Sequence, residues 1–84
     1  MKKKKIGILG STGSIGENTA TVIQNNKKDF DVIFLSTNTN VKKLFKQSSI
    51  LNAKSVIIFD KKKYKKYKKK FINKKINVFN SFKE

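Results

Sequence analysis

Cysteine, histidine, proline and tryptophan are all absent from this 84-residue sequence, and its 21 basic residues are all lysine. Without cysteine, the chain can form neither a disulfide framework nor a thiolate metal site. Without histidine, it lacks the commonest general base and the commonest metal ligand. Its five acidic residues form no cluster with the spacing of metal ligands. The sequence therefore predicts no catalytic residue and no metal-binding residue.

The scarcity of acidic residues leaves a formal net charge of +16. Such a charge favours nucleic acid as a partner, because a basic surface gains affinity by releasing counterions. Proteins that bind nucleic acid, however, usually rely on arginine for bidentate contacts to bases and phosphates. We interpret most of the excess lysine as solvated surface, and nucleic-acid binding is not favoured.

Long apolar runs are also missing. The lysines at residues 2–5 precede only the short segment Ile6–Gly10, which is too short for the apolar region of a signal peptide. No segment approaches the roughly 20 apolar residues of a membrane helix. The sequence therefore predicts no membrane partner and a cytoplasmic location.

The chain does contain a regular alternation of short apolar runs and amphipathic segments. The apolar runs predict four strands, over residues 5–10, 31–37, 55–59 and 76–79. The amphipathic segments predict three helices, over residues 14–26, 38–52 and 61–70. This order predicts an α/β fold of Rossmann-like βαβ units with a parallel sheet, which we expect to be incomplete.

Helix boundaries can be placed from capping residues. Thr39 or Asn40 is expected to cap the second helix, and Asp60 the third. Another helix is expected to begin near Ser81.

Three glycines follow the first predicted strand, in the segment Gly10-Ser-Thr-Gly13-Ser-Ile-Gly16. A glycine-rich turn between a strand and a helix is typical of a site that binds the pyrophosphate of a dinucleotide. Gly10 is expected to make the tight turn, Gly13 to let backbone amides approach the phosphates, and Gly16 to let the helix pack closely on the sheet. Hydroxyl groups of Thr12 and Ser14 add donors beside the N–H groups of the helix N-terminus.

Ser14 has a second interpretation, because its spacing from Glu17 fits a capping box. Both roles can hold together, since a cap and a phosphate use the same N–H donors. A P-loop does not fit, because Glu17 rather than lysine follows Gly16.

The end of the second predicted strand indicates which dinucleotide is bound. An NAD-binding unit usually has an acidic residue there, to accept a hydrogen bond from the ribose 2′-OH. No acidic residue occurs from residue 32 to residue 59, so the sequence predicts NADP(H). We expect an aspartate introduced at Thr37 or Asn38 to shift the preference towards NADH. Lys42 and Lys43 either contact a phosphate or belong to a solvated face.

The segment KIGILGSTGSIGENTATVI, residues 5–23, resembles the opening of the 1-deoxy-D-xylulose 5-phosphate reductoisomerase family. The similarity continues through FDVIFLSTNTNVKKLFKQ and, more weakly, through AKSVIIFD. The resemblance implies an oxidoreductase that rearranges and reduces this sugar phosphate to 2-C-methyl-D-erythritol 4-phosphate, in the non-mevalonate route to isoprenoids. It implies NADPH and a divalent metal, Mg or Mn, as cofactors, and a homodimer as the assembly.

The resemblance also implies roles for particular residues. Cofactor phosphates would contact Thr12, Gly13, Ser14 and Ile15. The adenosine ribose phosphate would lie near Asn38, Thr39 and Asn40. Thr39 departs from the lysine or arginine that often stands at its position in the family.

The resemblance further implies that residues 1–84 form the N-terminal portion of an NADPH-binding domain. The metal ligands, the substrate site and the C-terminal domain of the family would then lie outside this sequence. The 84-residue chain is expected to be inactive alone.

Two alternatives remain open from the sequence. One is another NADP-binding βαβ enzyme, similar to aspartate-semialdehyde dehydrogenase or to an epimerase. The other is a small basic nucleic-acid-binding module, suggested by the lysines and aromatic residues of KKKYKKYKKKFINKK, residues 61–75. The favoured interpretation of that segment is an amphipathic helix, with Tyr64, Tyr67 and Phe71 packed on the sheet and lysine facing outward.

Overall fold

A computed structural model describes residues 3–82 of the chain. The four strands are β1 (Lys4–Ile8), β2 (Phe30–Thr37), β3 (Ser55–Ile58) and β4 (Asn77–Phe79). The three α-helices are α1 (Ser14–Asn25), α2 (Val41–Leu51) and α3 (Lys61–Ile72). A 3-10 helix over Lys27–Asp29 connects α1 to β2. All strand pairs are parallel, in the order β1-β2-β3-β4, which confirms the predicted Rossmann-like α/β fold.

The ends of the elements follow local hydrogen bonds. Asn40 caps α2, because its Oδ1 accepts a hydrogen bond from the N–H of Lys43 at 3.3 Å. The helix therefore begins at Val41 and not at residue 38. Asp60 caps α3 in the same way, through the N–H of Lys63 at 2.9 Å. Both predicted caps are confirmed.

The predicted ends of two other elements are less accurate. β1 ends at Ile8, before Gly10, and α3 continues past residue 70 to Ile72. A helix was expected to begin near Ser81, but Ser81 and Phe82 are in a bend and a turn. The rest of that expected helix, Lys83 and Glu84, lies outside the described residues.

The helices pack beside one another on one face of the sheet, as consecutive right-handed crossovers in a single direction require. The core between helices and sheet contains the buried side chains Ile8, Ile23, Val32, Leu35, Leu44, Val56, Ile58 and Phe71. Tyr64 and Tyr67 of α3 are partly buried and pack against this core. The amphipathic interpretation of α3 is therefore confirmed.

Aromatic residues cover part of the opposite face of the sheet. The ring of Phe82 contacts those of Phe34 and Phe59, at centroid distances of 5.5 and 5.6 Å. Gly7 makes room for this group, because a Cβ at Gly7 would lie 2.0 Å from the Phe34 ring. The sequence pattern had shown Gly7 only as part of an apolar run.

Candidate functional site

Two segments meet where the first two strands end. We call residues 9–13, which follow β1, the glycine loop, and residues 38–40, which follow β2, the β2–α2 turn. They are neighbours because β1 pairs with β2 in parallel. In open α/β sheets, ligands bind at this carboxyl edge.

Gly10 has a backbone φ of +62°, a conformation that residues with a Cβ rarely adopt. Its carbonyl accepts a hydrogen bond from the N–H of Gly13 at 3.0 Å. The tight turn predicted at Gly10 is therefore confirmed.

Gly13 stands at the N-cap of α1, with φ −78° and ψ 172°. It is exposed, and a Cβ built on it would have one close neighbour, the Gly10 carbonyl oxygen at 3.4 Å. The space beside Gly13 is therefore open to a ligand. Ser14 and Ile15 follow in the first turn and are exposed, Ile15 by 84% of its surface.

The predicted capping box of Ser14 and Glu17 is wrong. No side chain makes a capping hydrogen bond at the start of α1. Ser14 is already the first helical residue, one position too late to act as N-cap. The Glu17 carboxylate instead forms an ion pair with Lys43. The N–H groups of the first turn consequently face no competing cap.

Gly16 is buried against the glycine loop, at the carboxyl end of β1. A Cβ on Gly16 would lie 2.2 Å from the carbonyl oxygen of Gly10 and 2.7 Å from the Cα of Ser11. Only glycine allows α1 to start this close to the loop.

Hydrogen bonds attach the glycine loop to β2 and α2. The Ser36 hydroxyl accepts from the Gly10 N–H at 2.8 Å, and the Ser36 carbonyl accepts from the Ser11 N–H at 2.9 Å. The amide of Gln47 accepts from the Ser11 hydroxyl at 2.8 Å and donates to the Ser11 carbonyl at 2.9 Å. Sequence reasoning missed Ser36 and Gln47, although a serine inside an apolar strand was a signal.

Thr37 connects the two segments of the site. Its hydroxyl lies 2.7 Å from that of Thr12 in the glycine loop. The same oxygen accepts the N–H of Asn40 at 3.2 Å. Thr37 is only 2% exposed, so an aspartate here would bury a charge at a cost of several kcal/mol or more. Of the two positions expected to accept an aspartate, only the exposed Asn38 is suitable.

The β2–α2 turn is exposed at Asn38, Thr39 and Asn40. The start of α3 lies beside it, because the Asp60 N–H donates to the Asn38 carbonyl at 3.1 Å. All the residues expected to bind the cofactor therefore lie at the carboxyl edge of β1 and β2. Lys43 forms an ion pair with Glu17 of α1, whereas Lys42 is exposed.

Within residues 3–82, no three histidine, cysteine, aspartate or glutamate side chains come together as a possible metal site. The helices within the same range are also too short or too polar to cross a membrane.

Known proteins resemble this chain closely. A family model described as 1-deoxy-D-xylulose 5-phosphate reductoisomerase matches residues 6–83. The reductoisomerase of Pelagibacter ubique is 43% identical over 79 residues, which are 94% of this chain and 20% of that protein. The enzyme of Wolbachia pipientis from Culex pipiens is 39% identical over 75 residues, 89% of this chain and 19% of its own length.

Solved structures show the same relationship. The Zymomonas mobilis reductoisomerase, determined in complex with NADPH, superimposes with a TM-score of 0.87 at 32% identity, over 93% of this chain and 21% of that one. A DOX-P reductoisomerase in complex with magnesium shares the fold, with a TM-score of 0.79 at 20% identity. The chain thus spans about a fifth of the length of these relatives, and it belongs to the 1-deoxy-D-xylulose 5-phosphate reductoisomerase family.

Proposed function

We propose that this chain forms the cofactor-phosphate site in the NADPH-binding domain of a 1-deoxy-D-xylulose 5-phosphate reductoisomerase. The observation that carries the proposal is the open space beside Gly13, where a Cβ would meet only the Gly10 carbonyl oxygen, at 3.4 Å. The first-turn N–H groups of α1 border this space, and α1 has no side-chain cap. Such a site suits an anionic group.

The residues of the loop and first turn have distinct roles in this proposal. The backbone N–H groups of Ser14 and Ile15 precede the first intrahelical hydrogen bond, which runs from Glu17 to Gly13 at 2.7 Å. They are therefore available to phosphate oxygens. The exposed Ser14 hydroxyl adds one more donor.

The hydrogen bond between the Thr12 and Thr37 hydroxyl groups can leave the Thr12 proton available to a ligand. The Thr37 oxygen accepts from the Asn40 N–H and can give its own proton to the Thr12 oxygen. In that arrangement the Thr12 proton is free to bond to a phosphate. NADPH, when bound, supplies the hydride for reduction, and the part of this chain described here holds and orients its phosphates.

The proposal assigns no metal ligand to the described part of the chain. The side chains within residues 3–82 do not fit a divalent-cation site, so we assign no step through a metal to them. Conversion of the sugar phosphate, homodimer assembly and a cytoplasmic location are proposed from family membership. That the 84-residue chain alone is inactive stays a prediction.

Replacing Gly13 with valine tests the proposal. The backbone of Gly13 is in an extended conformation that other residues adopt, and its Cβ position is open. The Gly13→Val chain should therefore fold normally, while the branched side chain occupies the phosphate space. We expect binding of NADPH, followed by its fluorescence, to weaken by at least about 100-fold, or roughly 2.7 kcal/mol.

Asn18→Val is the matched control, because Asn18 is exposed on α1. Its NADPH affinity should stay within about twofold of the original chain, a change of only about 0.4 kcal/mol. Circular dichroism of both variants establishes that they are folded. A folded Gly13→Val chain with unchanged NADPH affinity would refute the proposed site.

A further inference from the structure

A small cavity lies beside the β2–α2 turn. It has a volume of about 160 Å³ and is lined by Thr39, Asn40, Val41, Lys42, Lys63 and Tyr67. The cavity therefore lies between the start of α2 and the beginning of α3. The sequence offers Lys42 as a possible phosphate ligand, whereas for Lys63 it offers a place on an outward helix face or in a nucleic-acid-binding segment.

The lining of this cavity is positively charged. Asp60, whose carboxylate accepts the backbone N–H of Lys63, is not one of the lining residues. Two of its lining side chains are lysines and none is acidic. The two ion pairs within residues 3–82 engage Lys43 and Lys54 instead. Lys42 and Lys63 thus line the cavity without an ion-pair partner in the described part of the chain.

Lys63 is the better anchored of the two lysines. It is half-buried, whereas Lys42 is exposed. Its Nζ lies 6.0 Å from the centroid of the Tyr67 ring, near the limit for a cation–π contact. A side chain that is already restrained loses less conformational entropy when it binds a ligand.

The position of the cavity matches one part of a dinucleotide. The Thr37 hydroxyl connects the Thr12 side chain of the glycine loop to the Asn40 N–H beside the cavity. When a pyrophosphate lies on the glycine loop of such a fold, the adenosine ribose lies at the end of the second strand. A phosphate on the ribose 2′-oxygen would then point at the cavity.

We propose that Lys63, with Lys42, binds the 2′-phosphate of NADP(H) in this cavity and thereby sets the preference for NADP(H) over NAD(H). This inference rests on the proposed function. Ammonium groups form charge-assisted hydrogen bonds with a phosphate, and NAD(H) has no group to receive them. Lys63 is therefore a specificity-determining residue supplied by α3, after the third strand.

Titration of the chain with NADPH and with NADH tests the inference. In the Lys63→Gln variant, NADPH should bind about tenfold more weakly or worse, as expected for loss of a charged hydrogen bond. The affinity for NADH should not change. In the Lys42→Gln/Lys63→Gln variant, the two affinities should become nearly equal.

Lys62→Gln is the matched control, because it removes the same charge from the same helical turn. Lys62 is exposed and does not line the cavity, so its variant should keep the original preference. If Lys62→Gln weakens NADPH binding as much as Lys63→Gln does, net charge and not the cavity sets the preference. That result, or an unchanged preference in Lys63→Gln, would overturn the inference.

A measurement on the unaltered chain checks the same contact without any substitution. In spectra of the lysine ammonium groups, 2′,5′-ADP should shift the Lys63 signal, whereas 5′-AMP should not. NADPH binding without such a shift would contradict the role of Lys63 and leave the proposed function intact. Failure of the chain to bind NADPH at all would overturn both.

Discussion

At the scale of the residue, the site depends on hydroxyl groups as much as on glycines. The Thr37 oxygen is buried, yet it has two polar neighbours, the Thr12 hydroxyl and the Asn40 N–H. A buried polar group is tolerated when it is fully hydrogen-bonded. Thr37 thus keeps the glycine loop and the β2–α2 turn at a constant separation.

Replacing Thr37 with valine keeps the shape of the side chain and removes the oxygen. The Asn40 N–H and the Thr12 hydroxyl then lose a partner, which should lower the free energy of unfolding by about 1–3 kcal/mol. NADPH binding should also weaken, because Thr12 is no longer oriented. Urea denaturation and NADPH titration measure the two effects.

Thr21→Val is the control for this substitution. Thr21 is exposed on α1 and its hydroxyl bonds only to the Glu17 carbonyl, at 3.0 Å. Its loss should change the stability by no more than about 0.5 kcal/mol. Equal effects of the two substitutions would show that Thr37 has no special role.

At the scale of the element, the start of α1 is set by a close backbone approach. Gly16 lies against the Gly10 carbonyl and the Ser11 Cα, with no space for a Cβ. The loop itself is attached to β2 and α2 through Ser36 and Gln47. Neither side of this contact can move freely, so the position of the first-turn N–H groups is well defined.

The Gly16→Ala variant separates helix propensity from packing. Propensity alone predicts a gain of about 1 kcal/mol, because alanine is the better helix former. The contact of 2.2 Å between the new Cβ and the Gly10 oxygen predicts the opposite. We expect a net loss of about 1–3 kcal/mol, typical of overpacking.

Chemical denaturation of Gly16→Ala beside Asn18→Ala provides the measurement. Asn18 is exposed in the same helix, so its variant reports propensity without the contact and should be neutral or slightly stabilised. A stabilised Gly16→Ala chain would contradict this expectation, because it would mean that the glycine loop moves to make room for the new Cβ.

At the scale of the whole molecule, the most lysine-rich element is α3. Lysine occupies most positions of the 12-residue α3. Within residues 3–82, no carboxylate forms an ion pair with a lysine of this helix. Like charges three and four residues apart destabilise a helix. The packing of Phe71 and the two tyrosines against the core must offset this repulsion.

Salt should therefore stabilise the chain. Raising NaCl from about 10 mM to about 500 mM shortens the Debye length from roughly 30 Å to less than about 8 Å. We expect a stabilisation of about 1 kcal/mol, which raises the melting temperature by roughly 4–8 °C in a domain of this size. Thermal melts followed by circular dichroism measure the change.

Lys65 is exposed in the middle of α3. The Lys65→Glu substitution should raise the melting temperature by part of this amount at low salt, and by little at high salt. If the melting temperature does not rise with salt, self-repulsion contributes little to the stability of the fold.

The sequence by itself determined the features that depend on neighbouring residues. Alternating apolar and amphipathic runs were sufficient to predict the strands and helices. The caps at Asn40 and Asp60 were predictable because each side chain bonds to an N–H three residues ahead. The turn at Gly10 was predictable because few other residues adopt its φ of +62°. The motif of residues 10–16 also indicated the family.

Only the tertiary structure decided the contacts between distant segments. Glu17 was free to cap α1 by sequence, but it pairs with Lys43 because α1 and α2 lie side by side. Thr37 meets Thr12, and Lys63 lines a cavity with Thr39, because parallel strands bring their carboxyl ends to one edge. The order and handedness of the crossovers set these distances, and no local pattern of residues encodes them.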